Sequence, residues 1–60
     1  MTAQQVMKAL RENGWKLKRI QGSHHVFVKE GRRPVPVPFH GNADLGVKGK
    51  QILKQAGIVV

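Results

Sequence analysis

Two segments with helical spacing of apolar residues enclose three short extended runs. That order predicts an α+β fold, α-β-β-β-α, in which a three-stranded antiparallel sheet carries both helices on one face. Apolar and basic residues alternate after Trp15, and Val35 and Val37 are separated by proline; both are patterns of sheet rather than helix. Each helix has an apolar stripe that must be buried. One face of so small a sheet is the only economical place for both stripes, so the opposite face is expected to stay open.

The first helix falls on residues 2–13. Thr2 and Gln5 have capping-box spacing, and Ala3, Val6, Met7 and Leu10 recur at helical intervals. Asn13-Gly14 then supplies residues that tolerate the left-handed conformation with which helices end. The first strand begins at Trp15. Trp15 and Leu17 alternate with Lys16 and Lys18, giving a basic outward side, and Arg19-Ile20 breaks the alternation, marking a bulge or the strand's end. Gln21-Gly22-Ser23 turns the chain into a second strand running from His24 to about Lys29, and Glu30-Gly31-Arg32-Arg33 turns it again. In the third strand Val35, Val37 and Phe39 alternate with Pro34, Pro36 and Pro38, which have no N–H to donate. This strand therefore belongs at an edge with its prolines turned from the ladder, and the sheet is a meander. A turn-rich loop from Phe39 to Gly46 leads to the second helix, about Val47 to Ala56, whose buried stripe is Ile52, Leu53 and Ala56 and whose first turn Gly49 weakens. Gly57 stands where a left-handed terminating residue belongs, and Ile58 is placed to pack back on Leu53.

Sixty residues make one domain, 1–60, that buries only about 60% of its unfolded surface, so a large internal substrate cavity is not expected. Without cysteine there is no disulfide and no thiolate metal site, which suits a reducing compartment. No apolar run approaches the roughly 18 residues of a membrane span, so the chain reads as cytoplasmic with no membrane partner. The dominant global feature is a net charge of +8. Such a field attracts polyanions, and nucleic acid is the first reading, because neutralising phosphates releases counterions and gives strong, salt-dependent affinity.

Chemistry centres on Gly22-Ser23-His24-His25-Val26-Phe27. Adjacent histidines on a strand point to opposite faces, so only one of His24 and His25 can lie on the open side. Phe27 shares parity with His25, whereas Val26 and Val28 share it with His24, and both assignments are compatible with the pattern. Taking Phe27 as the inward anchor puts His24 outward. An imidazole, whose ordinary pKa is about 6.5, can exchange protons there at neutral pH, and nearby cations can hold a phosphodiester and stabilise its developing charge. Lys16, Lys18, Lys29, Arg32 and Arg33 flank this stretch on strands or hairpin and are the candidate phosphate contacts. Opposite-facing histidines cannot chelate one ion, and few acids are present to complete a shell, so no metal or other cofactor is expected.

The Gly22-Ser23-His24-His25-x-Phe27 run, the Val37-Pro38-x-His40 segment and the closing Ile52-Leu53-Lys54-Gln55-Ala56-Gly57-Ile58 together resemble the HicA (YcfA-like) family of bacterial toxins, over nearly the whole chain. Two positions depart from the family pattern. Pro36 stands where a polar or β-branched residue is usual, and Lys50 and Gln51 follow Gly49 where a hydroxyl-bearing and an apolar residue often occur. The resemblance implies a fold similar to a double-stranded-RNA-binding domain and ribosome-independent cleavage of messenger RNA. It also implies restraint by a HicB-like antitoxin. By position it makes His24 the catalytic histidine, with Gly22 and Ser23 forming the turn before it.

On that reading His24 removes the proton of a 2′-hydroxyl, whose oxygen attacks the adjacent phosphorus and expels the 5′-oxygen. The acid that protonates the leaving group stays open among His25, His40, a lysine and water. Ser23 has no acid to orient a neighbouring base, and RNA brings its own nucleophile. Two other classes also fit the charge. One is a non-catalytic RNA-binding module of the same fold. The other is a DNA-binding or structural partner protein, but the last helix, with a buried stripe and the Gly57 stop, is no recognition helix, so no DNA contact by this chain alone is expected.

Overall fold

The computed structural model describes residues 1–39 and 44–58. The elements run α1 (Ala3–Glu12), β1 (Lys16–Gln21), β2 (His24–Val28), β3 (Val35–Pro38) and α2 (Val47–Gln55), and the sheet is an antiparallel meander in the order β1-β2-β3. The expected architecture is present, with β3 and its prolines at an edge.

Local chemistry sets the helix ends. At the start of α1 the Gln5 amide N–H donates to Thr2 Oγ1 at 3.2 Å and the Thr2 N–H donates to Gln5 Oε1 at 2.9 Å, closing the capping box. Both helices end in the same way. Gly14 and Gly57 take positive φ (88° and 75°). The N–H of the following residue reaches back to the last turn, Trp15 to the Leu10 carbonyl at 3.0 Å and Ile58 to the Leu53 carbonyl at 2.9 Å. The glycine N–H groups donate to Arg11 and Lys54 carbonyls, completing two Schellman motifs. Trp15 thus belongs to the helix stop rather than to β1, and it is buried.

The core lies between the helices and one sheet face. Val6, Met7 and Leu10 of α1 and Ile52 and Leu53 of α2 pack with Phe27, Val35 and Val37. Gly49 is buried where α2 meets α1. A β-carbon there would stand 3.1 Å from Met1 Cβ and 3.3 Å from Val6 Cγ2, so the residue that weakens α2's first turn is also what lets the helices approach. The helices do not cover β1. Leu17 and Ile20 pair with Phe27 and His25 on the helix side yet are 39% and 57% exposed. The Arg11 guanidinium lies 5.6 Å from the centroid of the Phe27 ring.

The break in alternation at Arg19 is a bulge: the β1–β2 register shifts between Leu17 and Arg19. Leu17 opposes Phe27, and Arg19, not Lys18, opposes Val26. The slip turns Arg19 and Gln21 to the open face and Ile20 to the helix side.

Candidate functional site: the His24 face and the β3–α2 groove

Gly22 and Ser23 form a two-residue hairpin loop between the paired residues Gln21 and His24. Gly22 has φ 57° and no described non-glycine residue has positive φ, the pattern of a type II′ turn with glycine at its first central position. Ser23 ties this turn to the end of β3, its carbonyl accepting from the Phe39 N–H at 2.7 Å. The turn sets His24 at the very start of β2, flanked by Gln21 on β1 and Pro38 on β3.

The adjacent histidines separate as a strand requires. His25 pairs with Val37 and shares a face with Phe27, which is fully buried; His24 is exposed on the open face. His25 is half-buried, its ring tilted 46° against Phe39 at a centroid distance of 5.0 Å, and its Nδ1 is buried with no hydrogen-bond partner among the described residues. His40, the other candidate acid or base, lies outside the described residues.

The candidate phosphate contacts do not gather around His24. Lys16 opposes Val28, four residues along β2, or about 13 Å from His24 at the usual strand rise. Lys18 sits in the bulge. Lys29 reaches back over Gly14, its Cε 3.5 Å from where a β-carbon would be. The Arg32 guanidinium lies against Gly57, beyond the C-terminal end of α2. Arg32 and Arg33 both line a hollow of about 450 Å³, with Pro34, Val35 and Gln55.

Other polar residues take the places nearest His24. Arg19 stands diagonally from it on the open face, since Gln21 opposes His24 and Arg19 is two residues before Gln21. On the other side a hollow of about 240 Å³ is bounded by His24, Pro36 and Pro38 and by Lys48, Gln51 and Gln55 of α2. Lys48, Gln51 and Gln55 lie outside the helix's apolar stripe, and their spacing of three and four residues was the available sign of a shared face. Arg19 had no such sign, because its direction depends on the bulge. Gln55 lines both hollows, and Val35 of the one adjoins Pro36 of the other along β3. No acidic residue lines either.

The clearest titration shift lies in the segment leading into α2. The Gly46 N–H at 2.7 Å and the terminal ammonium at 2.9 Å hold the Asp44 carboxyl below its ordinary value of 3.8. No helix of the described residues is long and apolar enough to cross a membrane.

Comparison with curated proteins finds no match. Among solved structures, a chain described as "Toxin-Antitoxin complex from Streptococcus pneumoniae" superposes with a TM-score of 0.81 at 36% identity, covering 97% of this chain and 98% of that one. The sequence model of the family described as "HicA toxin of bacterial toxin-antitoxin" matches residues 3–58, from the first residue of α1 to the Schellman residue Ile58. With its helices, meander and closing glycine all inside that match, the chain belongs to the HicA toxin family.

Proposed function

We propose that this HicA-family toxin is a metal-independent, ribosome-independent endoribonuclease that cleaves messenger RNA with His24 as general base, and that a HicB-like antitoxin holds it in check. The observation that carries the proposal is the placement of His24: exposed at the start of β2, held by a glycine turn, beside a hollow lined by Lys48 and two amides and by no acid.

In the reaction, His24 accepts the proton of the 2′-hydroxyl, and the oxygen attacks the neighbouring phosphorus in line. The bond to the 5′-oxygen breaks, leaving a 2′,3′-cyclic phosphate on one fragment and, once that oxygen is protonated, a 5′-hydroxyl on the other. His25 points to the helix side and does not share the site, which leaves water, Lys48 or His40 to supply the last proton. Lys16, Lys18, Lys29, Arg32 and Arg33 extend the positive field to more distant phosphates, Arg32 from beside the end of α2.

Purified protein is expected to fragment RNA in the presence of EDTA and to leave 2′,3′-cyclic or 3′-phosphate ends. A chelator that stopped the reaction, or 3′-hydroxyl products, would remove this mechanism. In the second reading, a non-catalytic RNA-binding module, His24→Ala keeps both RNA affinity and biological effect. In the nuclease it keeps affinity and loses cleavage.

A further inference from the structure

We infer that Arg19 holds the scissile phosphate beside His24, its guanidinium donating to the two non-bridging oxygens on which charge develops. The inference rests on the nuclease reading and adds a group to its site.

The bulge in β1 is what aims this side chain. With unbroken alternation Arg19 would share the face of Leu17, toward the helices; the slip after Leu17 sets it opposite Val26 instead, on the face of His24. Three rows result on the open face: Lys16 with Val28, Arg19 with Val26 and Pro36, and Gln21 with His24 and Pro38. Arg19 is therefore one row and one strand from His24, a diagonal of about 7–8 Å that a long side chain spans. Re-aiming a side chain is what bulges do next to active sites. The slip brings little burial in exchange, since Ile20 on the helix side is 57% exposed.

The surroundings leave the guanidinium available to a ligand. Val26 is 6% exposed although it lies outside the helix-side core, so the stem of Arg19 has an apolar neighbour to lie against while its head stays in water. Arg19 is exposed and has no ion pair or side-chain hydrogen bond among the described residues. Arg11 and Arg32, by contrast, lie against the Phe27 ring and Gly57. Lys16 is a row farther from His24 than Arg19, and Lys48 meets His24 from α2.

Chemistry separates the two cations that flank His24. In the in-line displacement, negative charge grows on the non-bridging oxygens of the phosphate under attack. A planar guanidinium meets two oxygens of one phosphate with two parallel N–H donors, and it keeps its charge throughout because it gives up no proton. A lysine offers a point charge. Arg19 thus steadies the phosphate while His24 takes the 2′-hydroxyl proton, and Lys48 stays available to the leaving oxygen.

The test is steady-state kinetics on one defined RNA oligonucleotide carrying a site that the parent cleaves. Arg19→Met keeps an apolar stem beside Val26 and removes the charge. It is expected to lower kcat by roughly 100-fold or more with KM little changed, the pattern of a contact made in the transition state, and to melt with the parent. Arg19→Lys should recover only part of the rate. In Arg19→Ala, dilute guanidinium chloride should restore cleavage where sodium chloride at equal concentration does not. Lys8→Ala, on the exposed surface of α1, should match the parent. Parent-like kcat in Arg19→Met overturns the inference, as does a loss confined to KM, which would make Arg19 one more charge in the general field. A kcat loss that tracks a large fall in melting temperature and is not relieved by guanidinium assigns Arg19 to the fold alone, and overturns it too. Failure of the nuclease reading has a different signature: no fragmentation by the parent, or fragmentation that survives His24→Ala. The inference then falls with it; where the parent is active and His24→Ala is silent, the Arg19 variants decide the inference by themselves.

Discussion

Arg32 lies over Gly57. Both guanidinium Nη atoms are 2.9 Å from the point where a β-carbon on that glycine would stand, and Gly57 is the left-handed residue, φ 75°, that ends α2. A cation beyond the last turn of a helix complements its unsatisfied carbonyls, so the contact gives Arg32 a structural task. Gly57→Ala is expected to destabilise by about 1–2 kcal/mol, because the left-handed backbone is costly with a β-carbon while the arginine tip can swing aside. Arg32→Ala should cost less than about 1 kcal/mol and weaken RNA binding less than Arg33→Ala. Urea titrations and filter binding at one fixed salt concentration check both, and a larger RNA defect for Arg32→Ala would put that residue's main role on the binding surface.

Gly49 is held by packing rather than by backbone conformation. It is buried within van der Waals reach of Met1 and Val6. Gly49→Ala gains up to about 1 kcal/mol of helix propensity but crowds both neighbours, so its net effect should stay within about 1 kcal/mol of the parent. Gly49→Leu cannot fit without parting the helices and should cost about 1–3 kcal/mol. A leucine variant as stable as the alanine variant would show that the helix contact is not close.

The Asp44 pair predicts an acid limb to the stability curve. With a folded carboxyl pKa lowered by the Gly46 N–H and then by the terminal ammonium, Asp44 stabilises the fold above the unfolded value of 3.8, and the contribution is lost as pH falls through the lower folded value. The pair is exposed, so the effect is small and screened by salt. The difference in melting temperature between the parent and Asp44→Asn should therefore be constant above about pH 5 and shrink below about pH 4. A difference that persists undiminished at about pH 2 would assign the effect to something other than this carboxylate.

A toxin with a net charge of +8 is suited to capture by an acidic partner. If the HicB-like antitoxin lies over the His24 face and screens Lys16, Lys18 and Arg33 together, its association should slow steeply with rising salt while its dissociation changes little. RNA should compete for the same surface. Simultaneous binding of RNA and antitoxin would mean that inhibition works at a distance.

The features legible in the chain are those whose partners lie within a few residues. Thr2 and Gln5 cap α1, Gly14 and Gly57 stop both helices, and Gly22-Ser23 turns β1 into β2, each through backbone geometry and hydrogen bonds spanning at most five residues. The prolines of β3 announced an edge because a missing N–H is a property of the residue itself. The parity of Phe27 with His25 sufficed to place His24 outward once one of them was taken as the anchor. The surroundings of His24 were not legible in this way. Arg19 joins its face only because β1 slips by one residue against β2, and a slip belongs to two strands at once. Lys48, Gln51 and Gln55 read as a solvated helix face, and they line a groove with His24 only because Gly49 lets α2 settle against α1 and alongside β3. A side chain's chemistry is carried by its own residue, but what it stands next to is set by the register and packing of one segment against another, which the pattern of a single segment does not encode.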